Sequence, residues 1–186
     1  MQAVFSIGRQ IAALALLMAL PLAGHGQSGG SAAPPEAKKT VDAFLGRWTL
    51  TGNYTEPDSK SPLRLTVTIQ CESALLGMAV ICRMTSDDTR GGHIEVASII
   101  GYSPDDQRIH LMEASSSGSY HEHRGRWIGD VIQFERLSKS EAGKQIVEDF
   151  SIGFPSPGAM WVKSVEETAE GSSTMDIVGR KESNAK

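Results

Sequence analysis

Hydrophobic and polar residues alternate with a period of two through most of the chain after residue 46. Such alternation predicts half-buried β-strands, because successive side chains of a strand point to opposite faces. The tight Gly129–Asp130 pair between two alternating runs is typical of a β-hairpin. The pattern predicts about ten strands, which span Arg47–Thr55, Leu63–Glu72, Met78–Met84, His93–Tyr102, Arg108–Ser115, Tyr120–Ile128, Val131–Leu137, Gln145–Phe154, Ala159–Glu166 and Thr174–Arg180.

A short helix is predicted before the strands, over Glu36–Leu45, and none after it. About ten sequential strands with short links form either a closed up-and-down antiparallel barrel or a sandwich, and closure removes exposed sheet edges. We therefore predict an all-β, up-and-down antiparallel barrel of about ten strands over residues 36–182. About eight strands already give an interior that side chains can just fill, and only 6% of the residues are aromatic. A wider barrel with this composition should contain a cavity.

The apolar face of the predicted strands defines the lining of that cavity. Glu148 falls on the same face of its strand as the apolar residues around it, so we expect it to line the cavity, with Arg64 or Arg83 as a partner charge. A rim position or a β-bulge that turns Glu148 outward is the alternative. The complete predicted lining is Leu65, Val67, Ile69, Val80, Ile94, Val96, Glu148, Phe150 and Ile152.

The two cysteines are predicted to form a disulfide. Cys71 and Cys82 lie on the apolar faces of two successive strands, and a turn around Leu75–Gly77 would place them opposite each other. Closing a loop of about 12 residues stabilises a fold by roughly 3 kcal/mol. A free thiol pair or half of a zinc site is the alternative, although the sequence contains no C-x-x-C spacing.

The first 26 residues are predicted to be a signal peptide. Ile11–Leu22 is an apolar run of 12 residues, shorter than the roughly 20 that span a bilayer, and small residues at Gly24 and Gly26 favour cleavage before Gln27. An uncleaved membrane anchor is the alternative. A cleaved signal peptide predicts export to the periplasm or the medium. We also predict a flexible linker over residues 27–35 and a disordered tail over residues 183–186.

Charge excludes some classes of partner. The chain carries 18 basic and 22 acidic residues, and cleavage would remove only Arg9, which leaves a net charge of −5. A mildly acidic chain has no electrostatic footprint for nucleic acid or for anionic membrane surfaces. We expect no stable membrane insertion after cleavage. The oligomeric state is not determined by the sequence.

A glycine and a tryptophan at the start of the first strand predict a closed barrel end. Gly46 would let the chain turn in tightly from the helix, and Trp48 is large enough to cover the end. In a closed barrel the first and last strands are neighbours, so the Arg180 guanidinium could lie on the indole of Trp48.

This Gly-x-Trp opening with a terminal arginine resembles the calycin pattern of lipocalin-like proteins. The segments FLGRW (44–48), IGYSPDD (100–106), RGRWIGDVIQFE (124–135) and MDIVGRK (175–181) resemble a bacterial secreted family of unknown function with such a barrel. The resemblance implies a β-barrel that binds an apolar ligand, and it implies no catalytic residue. Related haem-binding barrels need a histidine late in the chain, whereas no histidine follows His123.

The pair His121 and His123 is the strongest candidate for chemistry. Residues two apart on a strand share a face, so the two imidazoles could hold zinc or copper with a third ligand such as His110 or His93. A solvated strand face is the alternative.

The leading prediction is an exported barrel, without a cofactor, that binds a small apolar or amphipathic molecule. A metal-dependent or acid–base enzyme at the barrel mouth and an interaction module with a filled core are the alternatives.

Overall fold

The computed structural model describes residues 33–57, 59, 61–141 and 143–183. The predicted signal peptide, most of the predicted linker and the last three residues of the predicted tail lie outside the described residues. In the described part of the chain, no helix is long and apolar enough to cross a membrane.

The described chain is one helix followed by β-strands, as the alternation predicts. The helix α1 spans Pro35–Phe44, with Pro34 and Pro35 at its start, where the missing N–H of a proline costs no hydrogen bond. The strands are β1 Gly46–Thr55, β2 Leu63–Ala74, β3 Ala79–Asp88, β4 His93–Ser103, β5 Arg108–Ser115, β6 Tyr120–Ile128, β7 Val131–Phe134, β8 Leu137–Glu141, β9 Lys144–Ser156, β10 Ala159–Thr168 and β11 Gly171–Lys181. A single 3₁₀ turn over Leu75–Gly77 joins β2 to β3.

These strands close into an antiparallel barrel. Each of β1 to β6 pairs with the next strand, β7 pairs with β9, β9 pairs with β10, β10 pairs with β11, and β11 returns to pair with β1. Strands β7 and β8 both pair with β9, so together they occupy one position in a ten-strand ring. The predicted fold class is confirmed. The predicted single strand Val131–Leu137 is instead interrupted at residues 135 and 136.

One end of the barrel is closed by aromatic side chains and α1. Trp48 is 1% exposed, and its indole Nε1 donates a hydrogen bond of 2.8 Å to the carbonyl of Phe44 at the end of the helix. The ring of Phe154 meets the ring of Phe44 edge-on at 5.1 Å. Gly46 has a φ of +103°, a conformation that favours glycine, and there the chain turns from α1 into β1.

The cation over Trp48 is Lys181 and not the predicted Arg180. The Lys181 ammonium lies 5.7 Å from the centre of the indole, and Lys181 is the register partner of Trp48. Arg180 pairs with Thr49 and points to the exposed face. The prediction placed the cation one residue too early, and a shift of one residue along a strand reverses the face.

The register of β2 and β3 places the cysteines directly opposite each other. Cys71 and Cys82 are register partners, form a disulfide, and are 2% and 3% exposed. The predicted disulfide is confirmed.

Candidate functional site

The barrel interior contains a cavity that widens towards the end opposite α1. Its deep part has a volume of about 170 Å³ and is lined mainly by apolar side chains. The wider mouth has a volume of about 470 Å³ and is lined by many polar side chains. The two parts adjoin, since they share the lining residues Met84, Ser86, Val96, Glu113, Glu148 and Met175.

The residues predicted to line a cavity fall into four groups. Val67, Ile69, Phe150 and Ile152 line the deep part. Leu65 and Ile94 line the mouth, while Val96 and Glu148 line both parts. Val80 is fully buried in the hydrophobic core instead.

Polar side chains from five strands meet on the inner wall between the two parts of the cavity. Each belongs to the inward-facing set of its strand, which is why they converge although they are far apart in sequence. This polar cluster consists of Glu113 on β5, His121 and His123 on β6, Lys139 on β8, Glu148 on β9, and Ser164 and Glu166 on β10.

Lys139 bridges two of the three carboxylates of the cluster. Its ammonium lies 2.8 Å from Glu148 Oε2 and 3.0 Å from Glu166 Oε1. Ser164 donates a further hydrogen bond of 3.0 Å to Glu148 Oε1. Burial lowers the pKa of Lys139, but the hydrogen bonds and negative charges of the two carboxylates outweigh it and hold the pKa above its ordinary value. The partner charge of Glu148 is therefore Lys139, and not Arg64 or Arg83.

Glu113, the third carboxylate, lacks such a bridge. Its Oε1 lies 3.8 Å from His121 Nε2 and 3.9 Å from His123 Nε2, beyond hydrogen-bond distance. Burial, together with the negative charge of Glu148, raises the pKa of Glu113 from 4.5 to about 7, against the smaller opposing effect of Lys139. At neutral pH this carboxyl is divided between its charged and uncharged forms.

His123 lies at the boundary between the polar cluster and the apolar wall. It is 2% exposed, and its ring packs against Phe134 and Phe150 at centroid distances of 5.8 and 5.2 Å. Burial lowers the pKa of His123. Among the described residues, no side chain or backbone group forms a hydrogen bond with its Nδ1.

The two histidines share the interior face, but in the described part of the chain no third metal ligand joins them. Within the described ranges, no group of three histidine, cysteine, aspartate or glutamate side chains could hold a metal ion. His110 binds Asp106 and Glu122 on another face of the sheet, and His93 binds Asp87. The proposed third ligands therefore do not converge on His121 and His123.

Four members of the cluster were not identified from the sequence: Glu113, Lys139, Ser164 and Glu166. Glu113 shares the face of Ile109 and Leu111, and Glu166 shares the face of Met160 and Val162, so alternation could have found both. Lys139 could not be found that way. The strand is interrupted between β7 and β8, so the alternation does not show where β8 begins.

Comparisons with known proteins show a similarity of fold. No protein-family model and no curated protein matches the chain. Among solved structures, the S-type phycobiliprotein lyase CPES from Guillardia theta is similar, with a TM-score of 0.54 and 11% sequence identity. The match covers 81% of this chain and 94% of the lyase chain. At this identity the likeness concerns the fold alone, a lipocalin-like barrel.

Proposed function

We propose that the barrel binds a small amphipathic molecule, with its apolar part in the deep cavity and its polar group at the polar cluster. The observation that carries this proposal is the separation of the interior into an apolar floor and a polar upper wall. Binding pockets combine a mainly hydrophobic lining with a few polar groups that fix orientation.

The deep cavity is large enough for a ring or a short chain. An apolar cavity of about 150 Å³ takes up benzene, and the deep part has about 170 Å³ lined by residues such as Ile100, Leu111 and Met160. The mouth above it adds space for a longer molecule. Burial of an apolar guest gains roughly 25 cal/mol per Å² of surface removed from water.

The border of the cavity mouth is lined by polar side chains. Arg90 and Glu56 form an ion pair of 2.9 Å at the rim, and Ser115 shares hydrogen bonds with Ser117 and Ser119 in the loop after β5. Such a border keeps the entrance in contact with water, while the apolar end of a guest is buried in the deep part.

The fold supports this role without specifying a ligand, and the disulfide is compatible with export. A phycobiliprotein lyase has the same kind of barrel, and disulfides are typical of oxidising compartments. Export after cleavage of residues 1–26, and the resemblance to a bacterial secreted family, belong to this proposal.

Uptake of the neutral dye N-phenyl-1-naphthylamine tests the proposal. The purified protein should enhance its fluorescence saturably, and Val96→Trp should weaken dye binding about tenfold or more because the indole fills the shared part of the cavity. Ile99→Trp is the matched control, since Ile99 lies on the outer face of the same strand and is 39% exposed. Absence of saturable uptake, or equal weakening by both variants, would contradict an interior site.

An acid–base reaction at the same site is the second candidate. A carboxyl with a pKa of about 7 can both accept and donate a proton at neutral pH, and Glu113 faces the space that a guest would fill. If the protein is an enzyme, Glu113→Gln should abolish turnover of a bound guest while leaving dye uptake intact.

A further inference from the structure

The charges that face the barrel interior are unequal. Three carboxylates, those of Glu113, Glu148 and Glu166, face one ammonium group, that of Lys139, among the described side chains of the polar cluster. Lys139 is only 12% exposed and already contacts two carboxylates at 3.0 Å or less. The cluster therefore contains one positive charge and three acidic groups, and the positive charge contacts only two of them.

The excess negative charge is localised at Glu113. Its two nearest basic atoms belong to imidazoles at 3.8 and 3.9 Å, and burial lowers the pKa of the closer-packed His123, which favours its neutral form. A buried carboxylate without a partner is costly. Burial and the negative charge of Glu148 raise the pKa of Glu113 accordingly.

We propose that the polar group of the guest is a cation, a protonated amine that binds the Glu113 carboxylate while its hydrocarbon part occupies the deep cavity. This inference rests on the proposed function. An ammonium has three N–H donors and no acceptor, so it can bind Glu113 and donate to neighbouring acceptors. His123, which lines the deep part, offers a buried ring nitrogen that lacks a hydrogen bond from the described residues.

An anionic guest fits the same interior poorly. A fatty-acid carboxylate would add a fourth negative charge, and Lys139, the cluster's ammonium, is already bound to Glu148 and Glu166. Like charges in a site of reduced dielectric repel strongly. A neutral alcohol avoids this repulsion, but it leaves Glu113 without a charge partner.

Competition among three ligands of equal chain length tests the inference. Decylamine, decan-1-ol and decanoate, each below its critical micelle concentration, displace the naphthylamine dye from the protein at pH 8. Decylamine should bind about tenfold to a hundredfold more tightly than decan-1-ol, the range expected for a hydrogen bond to a charged group. Decanoate should bind more weakly than either.

Two variants test whether Glu113 causes the preference for decylamine over decan-1-ol. Glu113→Gln should bring the affinities of decylamine and decan-1-ol to within about threefold of each other. Glu122→Gln removes a carboxylate from the neighbouring strand, where it binds His110 and Arg124 away from the cavity, and should preserve the preference. Dye binding in each variant reports that the barrel remains folded.

The outcomes separate the inference from the proposed function. If the dye and all three ligands fail to bind, interior binding itself is refuted. If they bind but decylamine gains no advantage over decan-1-ol, or keeps its advantage in Glu113→Gln, the amine site at Glu113 is refuted while interior binding stands.

The pH dependence provides a second readout. Below pH 7 the affinity for decylamine should fall by up to about tenfold per pH unit, because the guest must displace the proton held by Glu113. The charged and titratable groups around that carboxyl are His121 and His123 on β6, Glu148 on β9 and Lys139 on β8. Calorimetry at pH 6 in buffers of different ionisation enthalpy should show release of nearly one proton, and none in Glu113→Gln. An affinity independent of pH between 5 and 8 would overturn the assignment.

Discussion

Replacing Glu113 with glutamine should stabilise the folded protein, and the gain should grow with pH. The wild-type carboxyl has a pKa of about 7 in the fold and an ordinary value of 4.5 when the chain is unfolded. A group whose pKa is raised by folding favours the folded state below the unfolded pKa, and this advantage is lost as the pH rises through the folded value. Glutamine has a similar shape and cannot ionise, so the variant avoids that loss.

The magnitude follows from the two pKa values. Each pKa unit corresponds to about 1.36 kcal/mol, so the difference between 4.5 and about 7 amounts to about 3 kcal/mol at pH 8. At pH 5, which lies only slightly above the unfolded pKa of 4.5, the gain should be less than about 1 kcal/mol. Because the side chain of Glu113 retains 27% exposure, about 3 kcal/mol is the upper limit.

Urea denaturation followed by tryptophan fluorescence measures this difference. With a slope of about 2 kcal/mol per molar urea, the midpoint of Glu113→Gln should lie up to about 1.5 M above wild type at pH 8. The two midpoints should approach each other at pH 5. A variant no more stable than wild type at pH 8, or a gain that shrinks as the pH rises, would refute the reasoning.

Glu122→Gln is the control with the opposite sign. His110 and Arg124 bind the Glu122 carboxylate and lower its pKa. A group whose pKa is lowered by folding contributes stability above the unfolded pKa and loses it as the pH falls. The Glu122 variant should therefore be slightly less stable than wild type at pH 8, with the deficit disappearing in acid.

Two further predictions concern stability. Lys139→Met should lower the free energy of unfolding by about 3–5 kcal/mol at pH 8, since it leaves the nearly buried Glu148 and the partly buried Glu166 without their cation. Adding Glu148→Gln should recover part of this loss in urea denaturation, and an undiminished deficit would argue against the bridge. Replacing Cys71 and Cys82 with alanine should lower the free energy of unfolding by about 3 kcal/mol, because the disulfide closes a loop between residues 11 apart in sequence. Calorimetry should show a lower Tm, and an unchanged Tm would contradict the loop-closure argument.

The positions of the strands were predictable because alternation is a local property. The predicted strands Arg108–Ser115 and Tyr120–Ile128 coincide with β5 and β6, and most other boundaries differ by a few residues. The opposition of Cys71 and Cys82 also followed from two apolar faces and one short turn. Both inferences use only residues close together in the chain.

The closed end shows where such local reasoning fails. Trp48 and the last strand were predicted to meet, and they do, but the cation over the indole is Lys181. Pairing between the first and last strands joins residues more than a hundred positions apart, and its register is fixed by packing of the whole barrel. A slip of one residue reverses the face of a strand. A prediction with an error of one residue in register therefore selects the wrong side chain.

The sequence by itself determined the alternating strands, the short helix, the paired cysteines and the apolar character of one face, because each depends on side-chain type and spacing along a short segment. The tertiary structure alone decided that Glu113, Lys139 and Glu166, from three separate strands, share one interior wall. Alternation gives the face of each residue, whereas its height and angle in the barrel depend on strand register and closure. For that reason the imbalance of charge inside the barrel could not be derived from composition or motifs.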